Sequence, residues 1–183
     1  MPFVTYLRDV PARLQGRVRD RYADEQHRLA ALGFSDLVFY AEVLKARPSS
    51  FAMMILMRLR REVIFWHKGL RFGAAYLLMT HHDPFTVALP MGMGVKLYTP
   101  FTDGSLLIAA SFPSEALPYG GRNVEKHTDL TSIENAWRDH RDRVARAVAG
   151  GKTPRRVSTF DEFVELSLQE EGVLAERFSH LAD

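Results

Sequence analysis

Apolar side chains recur at Val10, Leu14, Val18, Tyr22, Leu29 and Leu32, while Arg13, Arg17, Arg21 and Arg28 occupy positions between them. Spacings of three, four and seven lay one apolar stripe along a helix, so this pattern predicts an N-terminal helix over about 10–32. Asp9 is placed as its N-cap, Pro11 sits in its first turn and Gly33 is placed to stop it. The arginine row reads as the solvated opposite face.

A sheet is expected over about 36–112. Leu37 to Leu44 is rich in strand formers but has no clear period, and 51–66 is apolar on every face, which leaves helix and strands both open. Strands broken near Arg60-Arg61 are the slightly better reading there. The middle is clearer: Gly73–Thr80, Phe85–Leu89, Val95–Phe101 and Ser105–Phe112 are strand-length segments separated by short turn-forming links. Short links require antiparallel neighbours, hence a meander. Asp103-Gly104 is the best local hairpin signal, because a tight mirror-image turn needs positive φ at its centre.

Two more helices are predicted. Thr131-Ser132-Ile133-Glu134 has the spacing of a capping box, and Ile133, Trp137, His140, Val144 and Val148 then share one face until Gly150-Gly151, which gives a helix over about 132–149. Ser158-Thr159 opens another over about 159–182. Between sheet and helices, 113–130 holds Pro113, Pro118, Gly120 and Gly121 and shows little periodicity, so it reads as a long loop, a length that in compact domains often serves function. The expectation is an α+β fold: an antiparallel sheet (meander) packed against an N-terminal helix and two C-terminal helices, with the helices on one face.

Composition supports one globular domain spanning 1–183. The chain is 46% hydrophobic and 25% charged, and at this length one core needs no disulfide or metal for support. Cysteine is absent, which excludes a thiol nucleophile and any thiolate-built zinc site. The net charge of +2 conceals an asymmetry: residues 1–71 carry a net +6, residues 72–154 are neutral, and residues 155–183 carry −4. Such a distribution suits association with a protein partner or a second copy. No basic stripe interleaved with aromatics is present, which argues against nucleic acid. The longest uncharged runs, 72–82 and 84–95, are 11 and 12 residues, short of the roughly 20 needed for transmembrane insertion. The first residues show no basic region followed by an apolar run, so a cytoplasmic location is expected.

Candidate chemistry is sparse. Phosphate-loop, dinucleotide-turn, nucleophile-elbow and zincin patterns are absent, and no cofactor is implied. His81, His82 and Asp83 are the densest set of potential metal ligands, but adjacent strand residues point to opposite faces, so they could chelate together only if the strand ends before them. His140 lies on an apolar helix face, where its ring needs hydrogen-bond partners; Asp103 or a hairpin threonine suits better than neighbouring Asp139. Arg122 and His127, in the long loop, could present a guanidinium and an imidazole to an anionic ligand. Leu32-Gly33-Phe34, the 99–104 hairpin and the His140 helix resemble stretches of uncharacterised bacterial proteins, a resemblance that implies no activity. The leading expectation is therefore a non-enzymatic binding or interaction module that docks a protein partner or itself. The alternative is a small-ligand-binding protein or metal-assisted hydrolase with a pocket between the sheet and the 113–129 loop, in which Arg122, His127, His140 and Asp103 serve the ligand.

Overall fold

A computed structural model describes residues 4–44, 63–67, 71–112, 119–120, 123–128 and 131–179. In chain order the elements are β1 (Val4–Leu7), α1 (Ala12–Arg21), α2 (Ala23–Ala31), β2 (Ser35–Leu44), β3 (Val63–His67) and β4 (Arg71–His82). There follow β5 (Phe85–Pro90), β6 (Val95–Pro100), β7 (Leu106–Ala110), β8 (Tyr119–Gly120), β9 (Val124–Thr128), α3 (Ile133–Ala149) and α4 (Phe160–Ser179). The strands join one sheet in the order β1-β2-β4-β5-β6-β7-β9-β8, and β3 also pairs with β4. Every pairing is antiparallel except β7 with β9. The fold is α+β, with helices from both ends of the chain packed on a mostly antiparallel sheet. Among the described residues, no helix is long and apolar enough to cross a membrane.

The expected N-terminal helix is two helices. Its backbone breaks at Tyr22 (φ −108°, ψ 22°), whose side chain is fully buried. The break lets Leu14 and Val18 of α1 and Leu29 of α2 each reach the core from a short helix. Asp9 does not cap it: the helix starts after Pro11, whose carbonyl accepts from Leu14 and Gln15. Gly33 ends it as expected, at φ +92°, and the bonds Phe34 N–H to Leu29 O and Gly33 N–H to Ala30 O close a Schellman motif.

The predicted meander is present as β4-β5-β6-β7. Its Asp103-Gly104 turn is longer than a two-residue hairpin, because only Gly104 has positive φ (+80°) and the Phe101 amide bonds across to Ser105 O. Asp103 instead uses its carboxylate to accept the backbone N–H and hydroxyl of Ser105. The capping box over 131–134 is also displaced. Ser132 is the N-cap, accepting from Asn135, and Glu134 forms a bidentate pair with Arg28 of α2, which holds α3 against α2. The paired Thr159 and Glu162 at the start of α4 do form a reciprocal box.

The expected 113–130 loop contains β8 and β9. Parallel addition of β9 beside β7 makes the sheet mixed and brings 124–128 into its interior, where Val124, Lys126 and His127 are buried. Segment 51–62, whose period was ambiguous, lies outside the described residues, while 63–67 is strand β3.

Helices cover both faces of the sheet, not one. Registers place Leu97 and Thr99 of β6, Leu107 and Ala109 of β7, and His127 of β9 on the face under α3. Tyr40, Tyr98, Ile108 and Lys126 share the other face, where Phe163 of α4 packs edge-on to Tyr40 and Tyr98. A buried ionic cluster fixes α4 there: Glu170 accepts from Tyr98 Oη (2.9 Å) and Lys96 Nζ (3.1 Å), with Lys126 Nζ at 3.6 Å. Burial and the neighbouring Lys96 charge push the Lys126 amine down to about 8, against the opposing pull of Glu170. Burial alone would raise Glu170, but the two lysines and the Tyr98 hydroxyl outweigh it and hold the carboxyl below its ordinary range.

Candidate functional site

The hairpin tip, the start of β9 and the last two turns of α3 border an open cleft of about 410 Å³. Its size falls in the class of small-molecule sites, roughly 300–1,000 Å³. Phe101, Leu106, Leu107, Val124 and Ala147 supply its apolar lining, and Ser105 and Asn123 add polar groups. Three cations border it, Arg143, Arg146 and Lys152, against one lining carboxylate, Glu125.

Local backbone chemistry puts those cations in place. Arg143 and Arg146 stand three residues apart on α3 and so share a helix face with Ala147. The helix ends on a second Schellman motif, with Gly151 at φ +91°, Gly151 N–H bonded to Val148 O and Lys152 N–H to Ala147 O. That reversal turns Lys152 back toward the hairpin, where its Nζ donates to Ser105 Oγ (2.7 Å), lies 3.4 Å from Asp103 Oδ2 and sits over the Phe101 ring. Together with the Gly150 N–H bond to Arg146 O, the motif also occupies three carbonyls of the last turn, whose partial negative charge would otherwise oppose an anion. The strap continues with Thr102 N–H to Thr153 O and Arg155 N–H to Pro100 O, which fasten the segment after α3 onto the hairpin.

The cations differ in how they are held. Arg143 is shared between Asp139 Oδ2 (3.0 Å from Nε) and Glu125 Oε1 (3.1 Å from Nη1). Arg146 is exposed and has no ion-pair partner among the described residues. Asp103 is kept below its ordinary range chiefly by the Ser105 hydroxyl, then by the Ser105 amide, with Lys152 adding to the effect. Ser105 thus gives its proton to Asp103 while accepting from Lys152, which seats the ammonium instead of freeing a hydroxyl for attack.

Behind the Arg143 wall runs a buried polar chain. Thr86 Oγ1 and Thr99 Oγ1 are 2.8 Å apart, Thr99 Oγ1 is 2.9 Å from His140 Nε2, and His140 Nδ1 is 3.4 Å from His127 Nε2. His127 Nδ1 lies 2.9 Å from Asp139 Oδ2 at ion-pair distance, although the geometry is not that of an aligned hydrogen bond. His140 is fully buried, and burial first, then the His127 and Arg143 charges, push its imidazole well below the usual histidine range. It is a neutral histidine at neutral pH. A neutral imidazole has one donor and one acceptor nitrogen, so the network selects its tautomer. The Asp139 carboxylate favours N–H at His127 Nδ1, which makes His127 Nε2 an acceptor for His140 Nδ1–H and His140 Nε2 an acceptor for the Thr99 hydroxyl.

The structure therefore joins His127 to His140 and sets Asp103 against Ser105 and Lys152, outside the pocket lining. The threonine expected to hold His140 is Thr99, and Asp139 orients His127 instead. Arg122 lies outside the described residues.

His81, His82 and Asp83 do not converge. The strand β4 runs through both histidines, so His81 packs between Phe34 and Trp137 while His82 faces outward to Asp36 (2.6 Å). Asp83 sits exposed in the following turn. Among the described residues, no group of three or more His, Asp or Glu side chains is placed to hold a metal. Ser35, His82 and Asp36 are also close, but Ser35 Oγ (3.5 Å) and Asp36 both address Nε2 of the ring. A nucleophilic triad needs the serine and carboxylate on opposite ring nitrogens, so this surface trio cannot act as one.

The sequence alone does not single out Arg143, Arg146 and Lys152, because helical arginines usually mark a solvated face. The available signal was Gly150-Gly151 followed by Lys152, which reverses a cation onto the helix it has just left. Comparison with protein families, with curated proteins and with solved structures finds no match to this chain.

Proposed function

We propose that this chain is a non-enzymatic binding module whose ligand is a small organic anion with an apolar portion, held in the pocket between the hairpin, β9 and the end of α3. The observation that carries the reading is the pairing of an apolar floor with three bordering cations, of which Arg146 stands without an ion-pair partner among the described residues. Phe101, Leu107 and Val124 take the apolar body. Arg146 and Lys152 take the charge, and the Asn123 amide supplies a further hydrogen bond.

Docking through the N-terminal helices has less to stand on. Arg21 donates to Gly92 O and Arg28 is locked to Glu134, which leaves Arg13 and Arg17 of that row exposed. Among the described residues, the exposed large apolar side chains, Leu37, Val38, Met93 and Val148, are dispersed over two elements and one link.

The test uses 8-anilinonaphthalene-1-sulfonate, whose rings and permanent anion match the site. Fluorescence titration should show saturable binding that weakens about tenfold or more in the Arg146→Glu, Lys152→Glu double variant, since two attractive charges become repulsive. Equal affinity in that variant, with its fold verified by circular dichroism, removes the pocket as the ligand site.

A further inference from the structure

We propose that anion binding in this pocket is coupled to proton uptake by the His127–His140 pair beneath it, with Arg143 as the moving link. The proposal rests on the ligand reading above and adds a regulation to it.

One atom makes the connection. Asp139 Oδ2 lies 3.0 Å from Arg143 Nε and 2.9 Å from His127 Nδ1, so a single carboxylate oxygen serves both the pocket cation and the buried pair. Arg143 is a third exposed and borders the cavity, and a small rotation toward a bound anion takes its guanidinium from Asp139 and Glu125. The negative charge of Asp139 is then left to His127 alone. A carboxylate that loses one cation favours a proton on the other group that faces it, and the incoming anion acts in the same direction.

The interior can accept that proton by reversing the direction of its hydrogen bonds. With both rings neutral, hydrogen bonds run one way, Thr86 to Thr99, Thr99 to His140 and His140 to His127, while His127 Nδ1 faces Asp139 at ion-pair distance. When His127 is protonated, its Nε2–H donates to His140 Nδ1, the His140 proton moves to Nε2, and the two threonine hydroxyls turn to follow. Proton count balances: one proton enters from solvent, and no bond between heavy atoms changes. Among the described residues, the charged and titratable groups around the pair are Asp139 and Arg143 from α3, Glu125 from β9 and, beyond Trp137, His81 of β4. Thr86 and Thr99 face it from β5 and β6 but do not titrate in this range.

The experiment measures 8-anilinonaphthalene-1-sulfonate affinity from about pH 8 to about pH 6, the range in which histidine changes charge while the sulfonate does not. By linkage, each proton taken up strengthens binding about tenfold per pH unit, and a fractional proton gives a proportionate slope. The wild-type chain should bind more tightly as pH falls. Calorimetry in buffers of different ionisation enthalpy should report the same uptake directly. The His127→Gln variant, outside the pocket, should bind the probe but lose the slope and the uptake. If it fails to fold, Arg143→Gln decides: its binding is weaker and its slope is gone. A flat wild-type profile, or a slope that persists in the folded variants, overturns the coupling while leaving the pocket intact. Unsaturable probe binding, or binding indifferent to Arg146→Glu and Lys152→Glu, overturns the ligand reading itself and the coupling with it.

Discussion

Replacing Lys126 by methionine tests the electrostatics of the sheet's other face. Among the described residues, Lys126 is one of two lysines against a single carboxylate, and its side chain is 2% exposed. Its amine is pushed from the ordinary 10.5 to about 8, and at 1.36 kcal/mol per unit that displacement corresponds to about 3 kcal/mol. The sign follows from proton binding. Between about pH 8 and 10.5 the unfolded chain holds a proton that the folded chain has released, so stability rises with pH through that window. It is lost again as pH falls through 8, where the folded protein must carry a buried ammonium. Methionine has a similar shape without the charge, so Lys126→Met removes the penalty at pH 7, and Glu170 keeps Lys96 and Tyr98 as partners. The variant should be at least as stable as the parent at neutral pH, by up to about 2–3 kcal/mol once repacking is discounted. Urea unfolding at intervals from pH 7 to 10 gives both quantities. The parent should gain stability toward high pH relative to the variant, and the two curves should converge. A variant that is less stable by a constant amount across the whole range would refute the reasoning, because it would mean Lys126 is a net attractive partner of Glu170.

Two further substitutions probe other parts of the molecule. Thr99→Val deprives His140 Nε2 of its hydroxyl partner and Thr86 of its neighbour in a fully buried setting, and should cost about 1–3 kcal/mol in chemical denaturation; an unchanged midpoint would mean that another group satisfies the ring. Gly94→Ala places a methyl 2.5 Å from Ser111 Oγ at a residue with φ +147°, and Ser111 cannot withdraw freely because its hydroxyl accepts from Val95 N–H. A loss of about 1–3 kcal/mol in the same assay is expected, and a neutral result would show that the β5–β6 link shifts at little cost.

What could be read in advance followed locality. Residues 73–112 declared themselves because each strand pairs with its sequence neighbour, and α3 declared itself through an apolar stripe ended by two glycines. β9 did not, since Val-Glu-Lys-His-Thr carries no strong alternation and its partner β7 is reached by a crossover. Lys126 and His127 are both buried, on opposite faces, so the usual contrast of apolar inside and polar outside is missing. The break at Tyr22 was hidden because an apolar residue fits a helical stripe whether or not the helix continues through it. His140 could be recognised as a buried histidine in need of a donor, and a threonine of the hairpin does meet that need. Asp139 could not be assigned to His127, because the contact joins two elements whose registry depends on the unforeseen parallel pairing. The pocket shared that fate: its cations come from one helix and the turn after it, but its floor requires β7 and β9 to lie side by side.

The adjacency of Lys126 and His127 on β9 also makes this short strand a keyed part. A slip of one residue would exchange their faces, placing an ammonium beside His140 in one direction or an imidazole before Glu170 in the other. Both clusters would fail together, so each polices the alignment of the other. Length changes should therefore be far better tolerated in the connection leading into β9 than within its five residues.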